Sequence, residues 1–241
     1  MRTSIKGFSA LFLVALSTPA FAQEEADSSG ISVSGSATIV SDYRFRGVSQ
    51  SSEEAAIQGG FTVNHDSGLY AGTWGSSISF SGGTEIDFFG GYATEVTPGV
   101  TLDVGATYYW YPGGTGATDV IEPYVAVSGD LGPVSTKVGF AYAPDQKSLG
   151  DASAVYLYTD MSTAIPSTPL KLNGHIGFAK SDSFLGGPDG NAIDYSIGVS
   201  ASYKALTLGV SYVNTDYTNR GGAKEALGAD GAVLFSLGAS F

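Results

Sequence analysis

The sequence predicts an all-β fold, an antiparallel up-and-down transmembrane β-barrel of about 12 strands. Three observations point there. Apolar and polar residues alternate in short segments from Ile31 to Phe241, the period-two signature of strands with one apolar face. Gly accounts for 34 residues and aromatics for 12% of the chain, while Met occurs only 2 times; that balance favours strands and turns over helices. Short turns and longer loops alternate along the chain, as they do when the two rims of a barrel differ. In any single strand a soluble exported β-protein would show the same alternation, with its apolar face turned to a core. The number and spacing of the strands favour the barrel.

The chain begins with the three parts of an export signal. Arg2 and Lys6 give a positive start, and residues 8–17, FSALFLVALS, form an apolar run too short to span a bilayer. Ala20-Phe21-Ala22 then offers the small-x-small cleavage pattern. The expected organisation is a signal peptide over residues 1–22, a flexible periplasmic N-terminus over 23–30 and the barrel over 31–241. Beyond Ala22 no long uncharged apolar run suggests a membrane helix. Cys is absent, so disulfides do not brace the fold.

The first expected strand starts at Ile31. It sets Val33, Ala37, Ile39, Tyr43 and Phe45 against Ser34, Ser36, Thr38, Asp42, Arg44 and Arg46. After a loop, Ile57, Phe61 and Val63 mark the second, which turns at His65-Asp66-Ser67-Gly68. The third carries Tyr70, Trp74, Ile78 and Phe80 in phase. The link 81–83 is short for an outer loop. The fourth sets Ile86, Phe88 and Tyr92 against Glu85, Asp87 and Phe89. Residues 99–111, GVTLDVGATYYWY, give the clearest alternation, with Leu102, Val104, Tyr108 and Trp110 opposite Asp103, Tyr109 and Tyr111. The terminal aromatics suit the level where lipid meets water.

The sixth strand opposes Ile121, Val125 and Val127 to Glu122 and Tyr124, and the seventh opposes Val138, Phe140 and Tyr142 to Lys137. The eighth has Leu157 and Met161 against Tyr156, Tyr158 and Asp160, and the ninth Leu172, Ile176 and Phe178 against Lys171 and His175. The tenth opposes Ile193, Tyr195 and Ile197 to Asp194. The eleventh carries Leu206, Leu208, Val210 and Tyr212 in phase. Residues 214–228 form the longest loop, and the last strand ends with Val233, Phe235, Leu237, Ala239 and Phe241 on one face. An even strand count returns both termini to one rim, here the periplasmic one.

The most distinctive local sequence is residues 41–50, SDYRFRGVSQ. This stretch, just after a signal peptide, resembles the N-terminal signature of the TorF-type porins, the Gcw_chp family of exported proteins of Gram-negative bacteria. The Gly- and Tyr-rich strands and the terminal Phe add to the likeness. The resemblance implies an outer-membrane barrel of porin type and brings no substrate or catalytic residue with it.

The charges expected to line the lumen are Asp42, Arg44, Arg46, Glu85, Asp87, Asp103, Glu122, Lys137, Asp160, Lys171, His175 and Asp194. They act either as a wall that contacts solutes or as a network of ion pairs that braces the barrel. Acids slightly outnumber bases, so a mild cation preference is expected. The formal charge of −12 argues against nucleic acid as a partner.

Hydrolytic chemistry would need a His beside a nucleophile. The 2 His residues are His65, in a turn, and His175, in mid-strand, and neither sits in a nucleophile motif. Residues 186–191, GGPDGN, carry oxygen donors but lack the closing Glu of a calcium loop, so a plain turn is expected. No cofactor, metal or catalytic residue is assigned. The expected function is passive passage of small hydrophilic solutes or ions across the outer membrane. The alternative is a non-conducting structural or adhesive barrel that works through its loops. The expected partners are outer-membrane lipid, the solute, and the barrel assembly machinery, which would engage the strand ending in Phe241.

Overall fold

The computed structural model describes residues 30–219 and 222–241. The expected signal peptide and nearly all of the expected flexible N-terminus lie outside the described residues. The strands are β1 (Ile31–Val40), β2 (Arg44–Phe45), β3 (Val48–Ser49), β4 (Ala56–His65), β5 (Leu69–Ser77), β6 (Thr84–Thr97) and β7 (Val100–Trp110). They continue with β8 (Val120–Leu131), β9 (Val134–Gln146), β10 (Ala152–Ala164), β11 (Leu170–Ser181), β12 (Asn191–Tyr203), β13 (Leu206–Thr215) and β14 (Ala232–Ser240). All except β2 and β3 join one closed antiparallel barrel, in which each strand pairs with its neighbours in sequence and β1 closes on β14. The expected fold of twelve strands is therefore the observed one.

Closure leaves no strand edge within the sheet, so backbone N–H and C=O groups are satisfied without water. The side chains follow the pleat. Leu208 is 60% exposed on the outside, and Val104, Ile197 and Val210 share that outer face. Their neighbours Asp103, Ser196 and Thr207 are buried inside. A face of this kind is stable against hydrocarbon and would be costly against water. No described helix is long and apolar enough to cross a membrane.

The two rims differ. Residues 66–68, 98–99, 132–133, 165–169 and 204–205 make the short links at one rim. The start of the described barrel and its last strand meet at this rim: the Asp66 N–H donates to the Gly30 carbonyl over 2.8 Å, and the Ser240 N–H donates to that of Ala205 over 2.9 Å. The seam there is tight. The backbones of Gly35 and Phe241 exchange hydrogen bonds of 2.7 and 2.9 Å, and the Phe241 ring covers the spot a Cβ on residue 35 would occupy.

Four expectations need correction. β1 stops at Val40, so Asp42, Arg44 and Arg46 are not on a wall strand, and Tyr43 and Phe45 do not face lipid. Residues 41–55 fold into the lumen instead. In the third expected strand the faces are exchanged: Tyr70 and Trp74 point inward and are buried, and Leu69 and Ala71 face out. Tyr70 finds acceptors inside and Trp74 packs on Tyr43, which outweighs placing either on a lipid face whose other positions are small. This strand also ends at Ser77, so Ile78 and Phe80 fall in the link. The longest loop carries one short helix, α1 (Ala223–Ala226), where none was expected.

Candidate functional site

The lumen is organised by the segment 41–55. Its centre is a two-residue hairpin in which Arg44 pairs with Ser49 and Phe45 with Val48. The turn residues Arg46 and Gly47 have φ of +48° and +81°, as a primed turn between twisted strands requires. Arg46 is the unusual one, since a side chain in the left-handed region costs about 1 kcal/mol. Gly47 is there for space as well: a Cβ would come within 2.9 Å of Thr215 Cβ and 3.1 Å of the Asn214 carbonyl.

Polar contacts hold the hairpin in place. Asp42 accepts from Arg44 Nε, from Ser49 Oγ at 2.6 Å and from Ser51 Oγ at 3.0 Å. Arg44 Nη1 donates to the carbonyls of Gly228 and, over 3.0 Å, of Asp230. This ties the hairpin to the stretch before β14. Tyr43, 2% exposed, donates to Glu85 over 3.0 Å and packs edge-on against Trp74 at 5.5 Å. Burial pushes the Tyr43 phenol well above its ordinary range, with the Glu85 and Asp87 charges adding to the effect. It therefore stays protonated as a donor.

Arg46 reaches furthest across the barrel. Its Nη2 lies 2.7 Å from Glu122 Oε1 on β8, and Tyr109 donates to the other Glu122 oxygen over 3.1 Å. The guanidinium carbon sits 3.9 Å from the centre of the Tyr156 ring and 4.8 Å from that of Phe45, within cation–π reach of both. Its side chain is 6% exposed. Burial desolvates the cation, and the Glu122 charge more than offsets that, holding the guanidinium above its ordinary value.

Two cavities meet at this hairpin. The one toward the loop rim has a volume of about 750 Å³ and is walled by residues such as Glu85, Tyr109, Tyr111, Glu122 and Tyr217. The one toward the turn rim has about 170 Å³ and is walled by Gln58, His175, Asp194, Thr207 and others. Phe45 and Arg46 are the residues that line both. The inserted turn therefore stands between the two cavities.

Below that turn the wall charges pair among themselves. His175 Nδ1 lies 2.6 Å from Asp160, and its Nε2 lies 3.0 Å from Asp194 and 2.9 Å from the Tyr156 hydroxyl. Tyr156 stacks on Tyr158 at 5.6 Å. Lys137 lies 4.0 Å from Asp103, which also accepts from Tyr70 over 2.6 Å. Lys171 shares the inward face of β11 with His175. Ser196 pairs across the sheet with His175 but makes no hydrogen bond to it, and both ring nitrogens already face carboxylates. The ring is not arranged as the base of a nucleophile.

The structure brings Asp42, Arg44 and Arg46 together on the inserted segment, and Arg46 with Glu122. Asp160, His175 and Asp194 form a second group, Asp103 and Lys137 a third. Sequence reasoning missed the place of Phe45 between the two cavities and the need for Gly47. The available signal was the Arg-Gly pair between Phe45 and Val48, which reads as a two-residue turn. It also missed the glycines that make room for tyrosines: Tyr156 lies where a Cβ on residue 177 would be, and Tyr158 where one on residue 139 would be.

A family model described as a bacterial protein of unknown function, Gcw_chp, matches residues 23–241. No curated protein matches the chain. Among solved structures, the NanC porin is similar with a TM-score of 0.58 and 13% identity, over 87% of this chain and 99% of that one. The KdgM porin is similar with a TM-score of 0.60 and 8% identity, over 86% and 98%. At these identities the likeness is one of fold.

Proposed function

Because the chain belongs to the Gcw_chp family of bacterial proteins, we propose that it is an outer-membrane channel for passive diffusion of small hydrophilic solutes or ions, narrowed by its own inserted hairpin. One observation carries this reading: two cavities with charged side chains in their walls lie on either side of Phe45 and Arg46, inside a closed barrel. The fold shared with two porins supports it. Selection would come from the size of the gap beside Arg46 and from the wall charges, with no energy coupling. Inward acids exceed inward bases, which supports a cation preference. The SDYRFRGVSQ stretch supports the narrower assignment to the TorF-type porins. The strand pairing at Phe241 supports recognition of that strand by the barrel assembly machinery.

The test is a planar bilayer. Reproducible single-channel steps are expected from the refolded protein, with a reversal potential in asymmetric salt that favours cations. Steps that favour anions reject the cation preference alone. Silence of both the wild type and R46A rejects the channel. The second reading then applies, a non-conducting barrel that acts through its loops. What favours that reading is the packing at the inserted turn, where Tyr156 is 1% exposed and Arg46 is wedged between two rings.

A further inference from the structure

Two carboxylates of the interior differ from the rest. Asp42 and Glu122 face Arg44 and Arg46, Asp103 faces Lys137, and Asp160 and Asp194 flank His175. Among the described residues no Lys, Arg or His forms an ion pair with Glu85 or Asp87. Asp87 is 1% exposed, and neither of its carboxylate oxygens has a hydrogen-bond partner. Glu85 is also buried and accepts from Tyr43. The two lie two residues apart on the inward face of β6, so their side chains project to the same side. A pair of buried carboxylates persists only if a cation or a proton neutralises it.

We propose that Glu85 and Asp87 hold a hard divalent cation of the Ca²⁺ type in the lumen wall beside the inserted hairpin. The donor set consists of oxygens: two carboxylates, the Tyr43 hydroxyl and the neighbouring Tyr111 hydroxyl, with solvent completing the shell. Such donors suit Ca²⁺ rather than a softer metal, and two negative charges match its own. Glu85 lines the larger cavity and Asp87 does not, so the ion enters past Glu85. No third acidic or imidazole side chain joins the pair among the described residues. The site is therefore weak, with a Kd of about 10⁻⁴–10⁻³ M. Through Tyr43 the ion also adjoins the segment that narrows the lumen. The proposal goes beyond the channel reading and holds whether or not the barrel conducts.

The experiment uses the whole folded barrel in detergent, stripped with a chelator and titrated with CaCl₂ in a calorimeter. One site is expected in the wild type, weakened by about tenfold or more in D87N and in E85Q. Retained folding is checked by heat-modifiable gel mobility. If D87N fails to fold, E85Q and terbium emission carry the test: Tb³⁺ bound here is sensitised by Tyr43 and Tyr111, and Ca²⁺ displaces it. No Ca²⁺ binding by the wild type in the millimolar range overturns the proposal and leaves a proton as the neutralising group. Equal binding by the wild type and both variants also overturns it, because the ion is then held by other carboxylates.

Discussion

Arg46 is the residue on which the lumen turns. It sits in a strained backbone conformation and is buried between two aromatic rings against Glu122. Removing it leaves Glu122 buried without its cation, which costs about 3–5 kcal/mol. R46A should therefore be less stable to denaturant by roughly 3 kcal/mol, and R46A/E122Q should recover most of that loss; intrinsic fluorescence during urea unfolding reads both. If the double variant is no better than R46A, the pair is not what holds the turn. The same substitution removes a side chain that stands between the two cavities, so on the channel reading the single-channel conductance of R46A should exceed that of the wild type. Gly177 matters through space alone. G177A would push the Tyr156 ring off its place and disturb the cation–π contact above it, so a conductance change like that of R46A is expected with Glu122 still paired.

The hairpin is the element that separates this barrel from an empty cylinder. Its seat depends on Gly47, where both a positive φ and close packing on Thr215 exclude a side chain. G47V should expel the segment while the wall stays closed. Trypsin would then cut the variant after Arg44 or Arg46 and leave the wild type whole there, with unchanged heat-modifiable mobility in both. Cleavage of the wild type at those sites would mean that the segment is not seated.

The wall strands were legible because each must put apolar residues on every second position, and that pattern survives in the sequence from Val100 to Trp110 and from Ala232 onward. The hairpin was not legible for a related reason. Asp42 to Arg46 continues the alternation of β1, so period alone extends the strand. What ends it is long-range: Arg44 binding carbonyls near residue 230, and Arg46 binding Glu122. Trp74 misled for the same reason, because an inward aromatic packed edge-on against Tyr43 and an outward one in lipid look alike in sequence. Parity placed Glu85, Asp87, Asp103, Glu122 and Asp194 opposite the apolar face, and these side chains are buried. Their partners were not legible, since pairing depends on register between strands far apart in the chain.

Across the whole molecule, the decisive property is an apolar exterior around a charged interior. Ile197 lies at the middle of β12 on the outer face. I197R should cost about 2–4 kcal/mol in a lipid bilayer, measured by unfolding from vesicles. A cost near zero would mean that this face meets water. On the proposed channel reading the interior charges set ion preference: acids on β6, β7, β8, β10 and β12 exceed the bases on β9 and β11, and reversal potentials read their sum.

The seam at Gly35 and Phe241 also constrains the order of assembly. Every other pair of wall strands is joined by a hairpin or a single loop, but these two lie at opposite ends of the chain. No local event can nucleate their pairing, and the entropy of bringing them together grows with the loop between them. The ring must therefore be shut last, and until then β1 and β14 each present a bare flank that invites aggregation. A chaperone or insertase that shelters those two flanks would act on the slowest step of biogenesis.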